Sequence, residues 1–150
     1  MSESPSSTSP VTDAFSWPTR VYWEDTDAGG VVYHAQYVAF LERARSEWMR
    51  ARGQMQEQLR LEHDLVFVVR AMQLDFLKPA RLDDLLKVSV AVKQVKRASI
   101  VFAQSIWRDD QRLLTAEVKV AAVSATAFRP VGLDEALYEE FKLLEVPTTL

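Results

Sequence analysis

The chain has 150 residues, 48% of them apolar and 10% aromatic, enough for one domain with a substantial core. A formal charge of 18 − 21 = −3 speaks against nucleic acid as the default partner, and the absence of cysteine excludes disulfides, thiolate metal sites and a cysteine nucleophile. No apolar run approaches the ~18 residues of a membrane span, and the N-terminus has neither the basic nor the apolar region of a signal peptide, so the expectation is a soluble, cytoplasmic protein.

Residues 1–16 are rich in Ser, Thr and Pro without an apolar period and read as a flexible tail; residues 17–145 read as the folded domain. Arg20-Val21-Tyr22-Trp23 has the β-branched and aromatic character of a strand, broken by Asp25-Thr26-Asp27-Ala28-Gly29-Gly30. From about His34, Tyr37, Leu41, Ala44, Trp48 and Ala51 recur at spacings of four and three, which predicts an amphipathic helix ending near Gly53. Residues 54–62 add a short polar helical piece. Leu65–Arg70 continues through Met72, Leu74 and Phe76 as a strand until Pro79. Val88, Val90 and Val92 alternate with polar neighbours, as do Ala116, Val118, Val120 and Ala122. Between them, Ile100, Phe102, Gln104 and Ile106 share one strand face, and Asp109-Asp110-Gln111 is a turn. Leu133, Leu137, Phe141 and Leu144 mark a second, shorter helix. Four consecutive strands with short connections predict a meander, and the long helix must pack on its apolar face. The expected fold is α+β: a single domain with an antiparallel five-stranded sheet wrapped around a long central helix.

Chemistry concentrates between Arg20 and Arg45. Asp25 and Asp27 flank Thr26, the glycine pair follows, and His34 stands at the helix entry. The first amides of a helix lack intrahelical partners and sit at the positive end of the helix dipole. They can hold a negative oxygen developing on a carbonyl. Glycines before them let a substrate approach, and a nearby carboxylate can act as nucleophile or general base. That combination suits attack on an acyl carbonyl. The same residues also fit a plain turn or helix cap with a structural histidine. The other histidine, His63, is too distant in sequence to make a metal-ligand pattern, and no phosphate-cradling lysine follows the glycines.

The stretch Arg20, Val21, Thr26, Asp27, Gly30, Val31, Val32, His34 and Tyr37 resembles the signature of the 4-hydroxybenzoyl-CoA thioesterase branch of the hotdog-fold superfamily. Its closest likeness is to the YbgC-type acyl-CoA thioesterases encoded with the bacterial Tol-Pal system. The likeness extends to Phe40–Arg45, Phe67–Arg70, Pro79–Asp84 and Arg97–Ser99, and so to most of residues 17–128. It implies a hotdog domain that hydrolyses the thioester of acyl-CoA, with Asp27 as nucleophile or general base and His34 as the positioning or protonating group. It places the oxyanion hole at the amides around Tyr33 and His34, with Gly30 allowing the approach. Lys96, Arg97 and Ser99 match a region associated with the CoA moiety, with Lys93 and Arg70 as weaker candidates; a solvated basic turn reads equally well there. Trp23 stands where many members carry tyrosine, and an indole has no ionisable hydroxyl. Tyr37, Phe40, Leu41 and Trp48 read as core, with Tyr37 or Phe40 as candidates to line an acyl tunnel. The likeness implies a homodimer or homotetramer with active sites built across subunits, no metal or redox cofactor, and acyl-CoA, or an acyl carrier protein, as the partner. Competing readings are a non-catalytic hotdog that binds acyl-CoA or acyl carrier protein as sensor or scaffold, and a hydratase or dehydratase.

Overall fold

The computed structural model describes residues 15–146. The elements run β1 (Phe15–Arg20), a 3-10 turn (Trp23–Asp25), α1 (Gln36–Ala51), α2 (Gln56–His63), β2 (Leu65–Phe76), β3 (Leu85–Lys96), β4 (Ser99–Arg108), β5 (Gln111–Ser124) and α3 (Glu135–Lys142). The five strands form one antiparallel sheet in the order β1-β3-β4-β5-β2.

α1 is the axis of the core. Tyr37, Phe40, Leu41, Ala44, Trp48 and Met49 are buried on one face of it, as the spacing predicts. They meet Val88, Val90 and Val92 of β3, Ile100, Phe102 and Ile106 of β4, and Leu114, Ala116, Val118 and Val120 of β5. Trp48 packs edge-on against Phe102, with centroids 5.3 Å apart, and beside Phe141 of α3 at 5.7 Å. Burial of each large apolar side chain contributes about 1.5–3 kcal/mol. The helix ends at Arg52, followed by Gly53 at φ +77°, the left-handed conformation that favours glycine after a helix.

Two expectations are corrected. The first strand is Phe15–Arg20, not Arg20–Trp23, and it takes Phe15 and Ser16 from the stretch read as tail; the rest of that stretch lies outside the described residues. Val21 leaves the sheet because its N–H and C=O are taken by Asp84 and Asp83 at 2.9 and 3.0 Å. Pro18 is tolerated inside β1 because β1 is an edge strand.

The second correction concerns the meander. β3, β4 and β5 follow one another as hairpins, but β2 pairs with β5 at the far edge. Residues 77–84 carry the chain from one side of the sheet to the other. Eight extended residues reach ~26 Å, whereas three strand spacings need only about 14 Å, so a connection that looks hairpin-sized is long enough to cross.

β2 also changes phase along its length. β2 shifts register between Val69 and Ala71. Leu65, Phe67 and Val69 face α1 before this bulge and Met72, Leu74 and Phe76 after it, so the inward positions change from odd to even at Arg70.

Candidate active site

The loop between the 3-10 turn and α1 is held by its own backbone. Asp27 N–H donates to Val31 O at 2.9 Å, and Gly30 N–H donates to Asp27 O at 3.0 Å. Asp27 Oδ1 accepts the Gly29 N–H at 2.8 Å, which fixes one oxygen of an exposed carboxylate. Gly30 has φ +82°, and a Cβ there would meet nothing within 4 Å. The left-handed backbone of the turn by itself calls for glycine at this point. Asp25 is the buried member of the acidic pair: its Oδ2 accepts the Tyr22 N–H at 2.8 Å and its carbonyl accepts the Tyr33 N–H at 2.9 Å. The loop is tied to the β2–β3 connection by Val32 N–H to Ala80 O at 2.9 Å and by the Val31–Arg81 bridge.

A cleft of about 350 Å³ opens here, with Asp27, His34 and Tyr37 on one side and Phe76, Leu77 and Lys78 on the other. The second wall is anchored where the Leu77 and Lys78 amides both donate to Leu113 O, at 2.9 and 3.0 Å. Arg108 pairs with Asp84 at 2.7 Å behind it. α1 begins at Gln36 without a side-chain cap, two residues after His34. Its entry amides are not all free. Tyr33 donates to Asp25 and Gln36 to Tyr33 O at 2.8 Å, whereas no described backbone acceptor takes the His34 or Ala35 amide. The Tyr33 amide expected in the oxyanion hole is therefore committed to holding the loop, and the open donors lie one and two residues later.

Tyr37 is the polar member of the cleft that its helical spacing hides. Its side chain is buried, and its hydroxyl accepts the Ala80 N–H at 3.0 Å. Burial pushes the phenol above its ordinary value, against the lowering pull of the Ala80 N–H and of Arg108; the negative charges of Asp84 and Asp27 raise it further. The wall residues Phe76 and Lys78 also escape a reading of the sequence, because no local pattern reports that the end of β2 faces the start of α1. Trp23 is exposed in the turn, and Tyr22 is exposed beside it.

The basic turn is elsewhere. Lys96 and Ser99 close the β3–β4 hairpin, and Ser99 pairs with Ala121. The cleft end of β5 is Leu114, opposite Phe76. The separation is 121 − 114 = 7 residues along one strand, about 23 Å. One chain therefore does not bring Lys96, Arg97 and Ser99 to the mouth of this cleft. Arg97 instead bonds Glu135 at 3.0 Å and lies 4.1 Å over the Tyr138 ring. Lys93 pairs with Glu117, and Arg70 is exposed at the bulge of β2. A larger concavity of about 480 Å³ lies on the outer face of the sheet, around Ser89, Ser105 and Trp107, away from Asp27 and the helix entry. Among the described residues no group of three or more metal-ligating side chains converges, and no helix is long and apolar enough to cross a membrane.

Comparison with known proteins gives the family. Residues 29–115 match the family model described as the thioesterase superfamily. The acyl-CoA thioesterase YbgC of Haemophilus influenzae is 45% identical over 133 residues, covering 89% of this chain and 98% of its own. The acyl-CoA thioester hydrolase YbgC of Escherichia coli O6:H1 is 46% identical over 132 residues, covering 87% and 98%. A crystal structure from Bartonella henselae, described as a probable thioesterase, superposes with a TM-score of 0.77 at 36% identity, covering 80% of this chain and 98% of that one. A helix wrapped by an antiparallel sheet, a family match over more than half the chain and near-complete coverage of these relatives lead to one assignment: the chain belongs to the hotdog-fold thioesterase superfamily, in its YbgC-type acyl-CoA thioesterase group.

Proposed function

We propose that the chain hydrolyses acyl-CoA thioesters in the cleft between Asp27 and the amino end of α1. The observation that carries this reading is the shared cleft: an exposed carboxylate, a histidine and the entry of the buried helix line one opening. The reaction joins water to the acyl carbon, breaks the C–S bond and leaves a carboxylate and the CoA thiol. Asp27 takes a proton from the attacking water, or itself attacks the carbonyl carbon to give an acyl-enzyme anhydride that water then opens. The gathering negative charge on the carbonyl oxygen is held by the His34 and Ala35 amides at the positive end of the helix. His34 positions the reacting groups or returns a proton to the leaving sulfur. The groups come from this chain's own side chains and backbone, with CoA as part of the substrate.

The CoA site extends this reading to a second copy of the chain. β2 has no described neighbour on its outer edge, and Val69 and Phe76 are exposed along it. Two-fold antiparallel pairing of β2 edges would set the Leu65 end of one chain beside the Phe76 end of the other. The partner's basic turn would then lie at the same end as the cleft, which reconciles the expected role of Lys96, Arg97 and Ser99 with their distance inside one chain. A homodimer, alone or doubled into a tetramer, is the proposed assembly.

The test is thiol release from a series of acyl-CoAs. The unmodified chain is expected to turn over at least one chain length, and Asp27→Asn to lower kcat about 100-fold or more. Tight binding without turnover across the series would instead favour a sensor or scaffold.

A further inference from the structure

We propose that the Tyr37 hydroxyl touches the substrate, donating a hydrogen bond to the thioester carbonyl oxygen alongside the helix-entry amides. The inference rests on the hydrolase reading above and adds a side-chain donor to it.

Three observations converge on this oxygen. Tyr37 is only 4% exposed, yet it lines the cleft together with Asp27 and His34. Its oxygen already accepts the Ala80 N–H at 3.0 Å, and no described residue accepts its own proton. A phenol is both donor and acceptor, and a buried donor left without an acceptor is costly to keep. With one lone pair occupied by a fixed backbone amide, the O–H is free to turn toward the cleft that the residue lines. The ring is held from two sides, by Phe40 at 6.3 Å and 87° and by Phe76 at 5.7 Å and 64°, so the hydroxyl is preorganised.

Its place in the helix gives the direction. Tyr37 is the second residue of α1. Side chains on a helix lean toward its amino end, so the phenol tilts toward the turn that carries the His34 and Ala35 amides. A carbonyl oxygen bound there would lie between backbone donors and the hydroxyl. Burial keeps the phenol protonated, and therefore a donor, throughout the neutral range, and the negative charge of Asp27 acts in the same direction. Asp27 and Tyr37 then have complementary tasks: one faces the carbonyl carbon or its water, the other faces the carbonyl oxygen.

Tyr37→Phe removes the hydroxyl and keeps the ring. Loss of one such donor is expected to lower kcat about 100-fold, with KM little changed because the contact strengthens in the transition state. A hydroxyl that merely pins Ala80 could also reduce the rate, so a second measurement separates the two. Hexanoyl-CoA labelled with ¹³C at the thioester carbonyl is bound to Asp27→Asn and to Asp27→Asn/Tyr37→Phe, and the carbonyl stretch is read by difference infrared spectroscopy. The stretch is expected to rise in wavenumber when the hydroxyl is removed. An unchanged stretch, or full kcat in Tyr37→Phe, would overturn the inference and leave the hydrolase reading standing. A shifted stretch in a chain that hydrolyses no acyl-CoA would sink the hydrolase reading alone.

Discussion

A methyl group on Gly29 would stand 3.2 Å from Oδ1 of Asp27, closer than nearly all such contacts, while the neighbouring Gly30 has open space but a φ of +82°. The two glycines therefore fail differently when changed. Gly29→Ala is expected to push the Asp27 carboxylate by a few tenths of an ångström and to lower kcat about tenfold, since small misplacements of a reacting group are expensive, with the melting temperature nearly unchanged. Gly30→Ala strains the backbone and is expected to lower stability by about 1–2 kcal/mol. Parallel kinetics and melting curves check both; equal effects of the two variants on stability would contradict the assignment. The sequence made the glycine pair conspicuous but not this division, because φ at Gly30 and the distance from Gly29 to Asp27 depend on how residues 27–31 close on themselves. The same limit hid Asp25. Two aspartates flanking a threonine look alike in sequence, and only the fold buries one and exposes the other.

The helices and strands were legible wherever one face is buried. α1 and the alternating residues of β3, β4 and β5 follow their apolar periods, and Gln104 sits on the inward face with Ile100, Phe102 and Ile106. The reason a glutamine is buried there was not legible: it accepts from buried Arg45 of α1 at 3.0 Å and donates to Leu41 O at 3.1 Å, two partners far away in sequence. The junction of α2 and β2 is similar. Asp64 ends α2 in the left-handed conformation, with φ 53°. Its carboxylate accepts from Ser124 Oγ at 2.6 Å, from the Thr126 N–H at 2.9 Å and from Thr126 Oγ1 at 3.0 Å, sewing the start of β2 to the end of β5. The Ser124 hydroxyl, followed by the Thr126 and Ala125 donors, holds this carboxyl below its ordinary value. A carboxylate depressed in the folded state contributes stability above its unfolded pKa, and that contribution is lost as pH falls through the folded value. Asp64→Asn tolerates the same backbone and lacks the charge. Its melting temperature is expected to lie below that of the unmodified chain at neutral pH, and the two to converge as pH falls below the ordinary aspartate range and through the lowered folded-state value. Parallel acid titration curves for the two proteins would contradict this.

For the whole molecule, the layer architecture followed from the element order, but the strand order did not. A chain that makes one strand, a helix and then four strands can be closed in more than one way, and here residues 77–84 cross because β2 pairs with β5 while β3 pairs with β1 and β4. The proposed assembly is open to a direct test. Val69 is 48% exposed on the helix-side face of β2, the strand with the open edge, and Val69→Lys places a charge where edge pairing would have to desolvate it. The variant is expected to shift the population toward monomer in light scattering and to lose acyl-CoA hydrolysis together with the assembly; a variant that stays assembled and active would remove β2 as the seam. The crossing has a further consequence during synthesis. β2 emerges long before its neighbour: β5 ends 124 − 76 = 48 residues later, which at ribosomal speeds is an interval of ~2–10 s. In that interval the apolar side chains of β2 can lean on α1, already translated, but its backbone has no ladder to join. A nascent chain of this fold therefore carries an unpaired ribbon until its last strand is threaded out, and slowing the decoding of the intervening hairpin would lengthen the time it is open to chaperones or to misassociation between chains on one polysome.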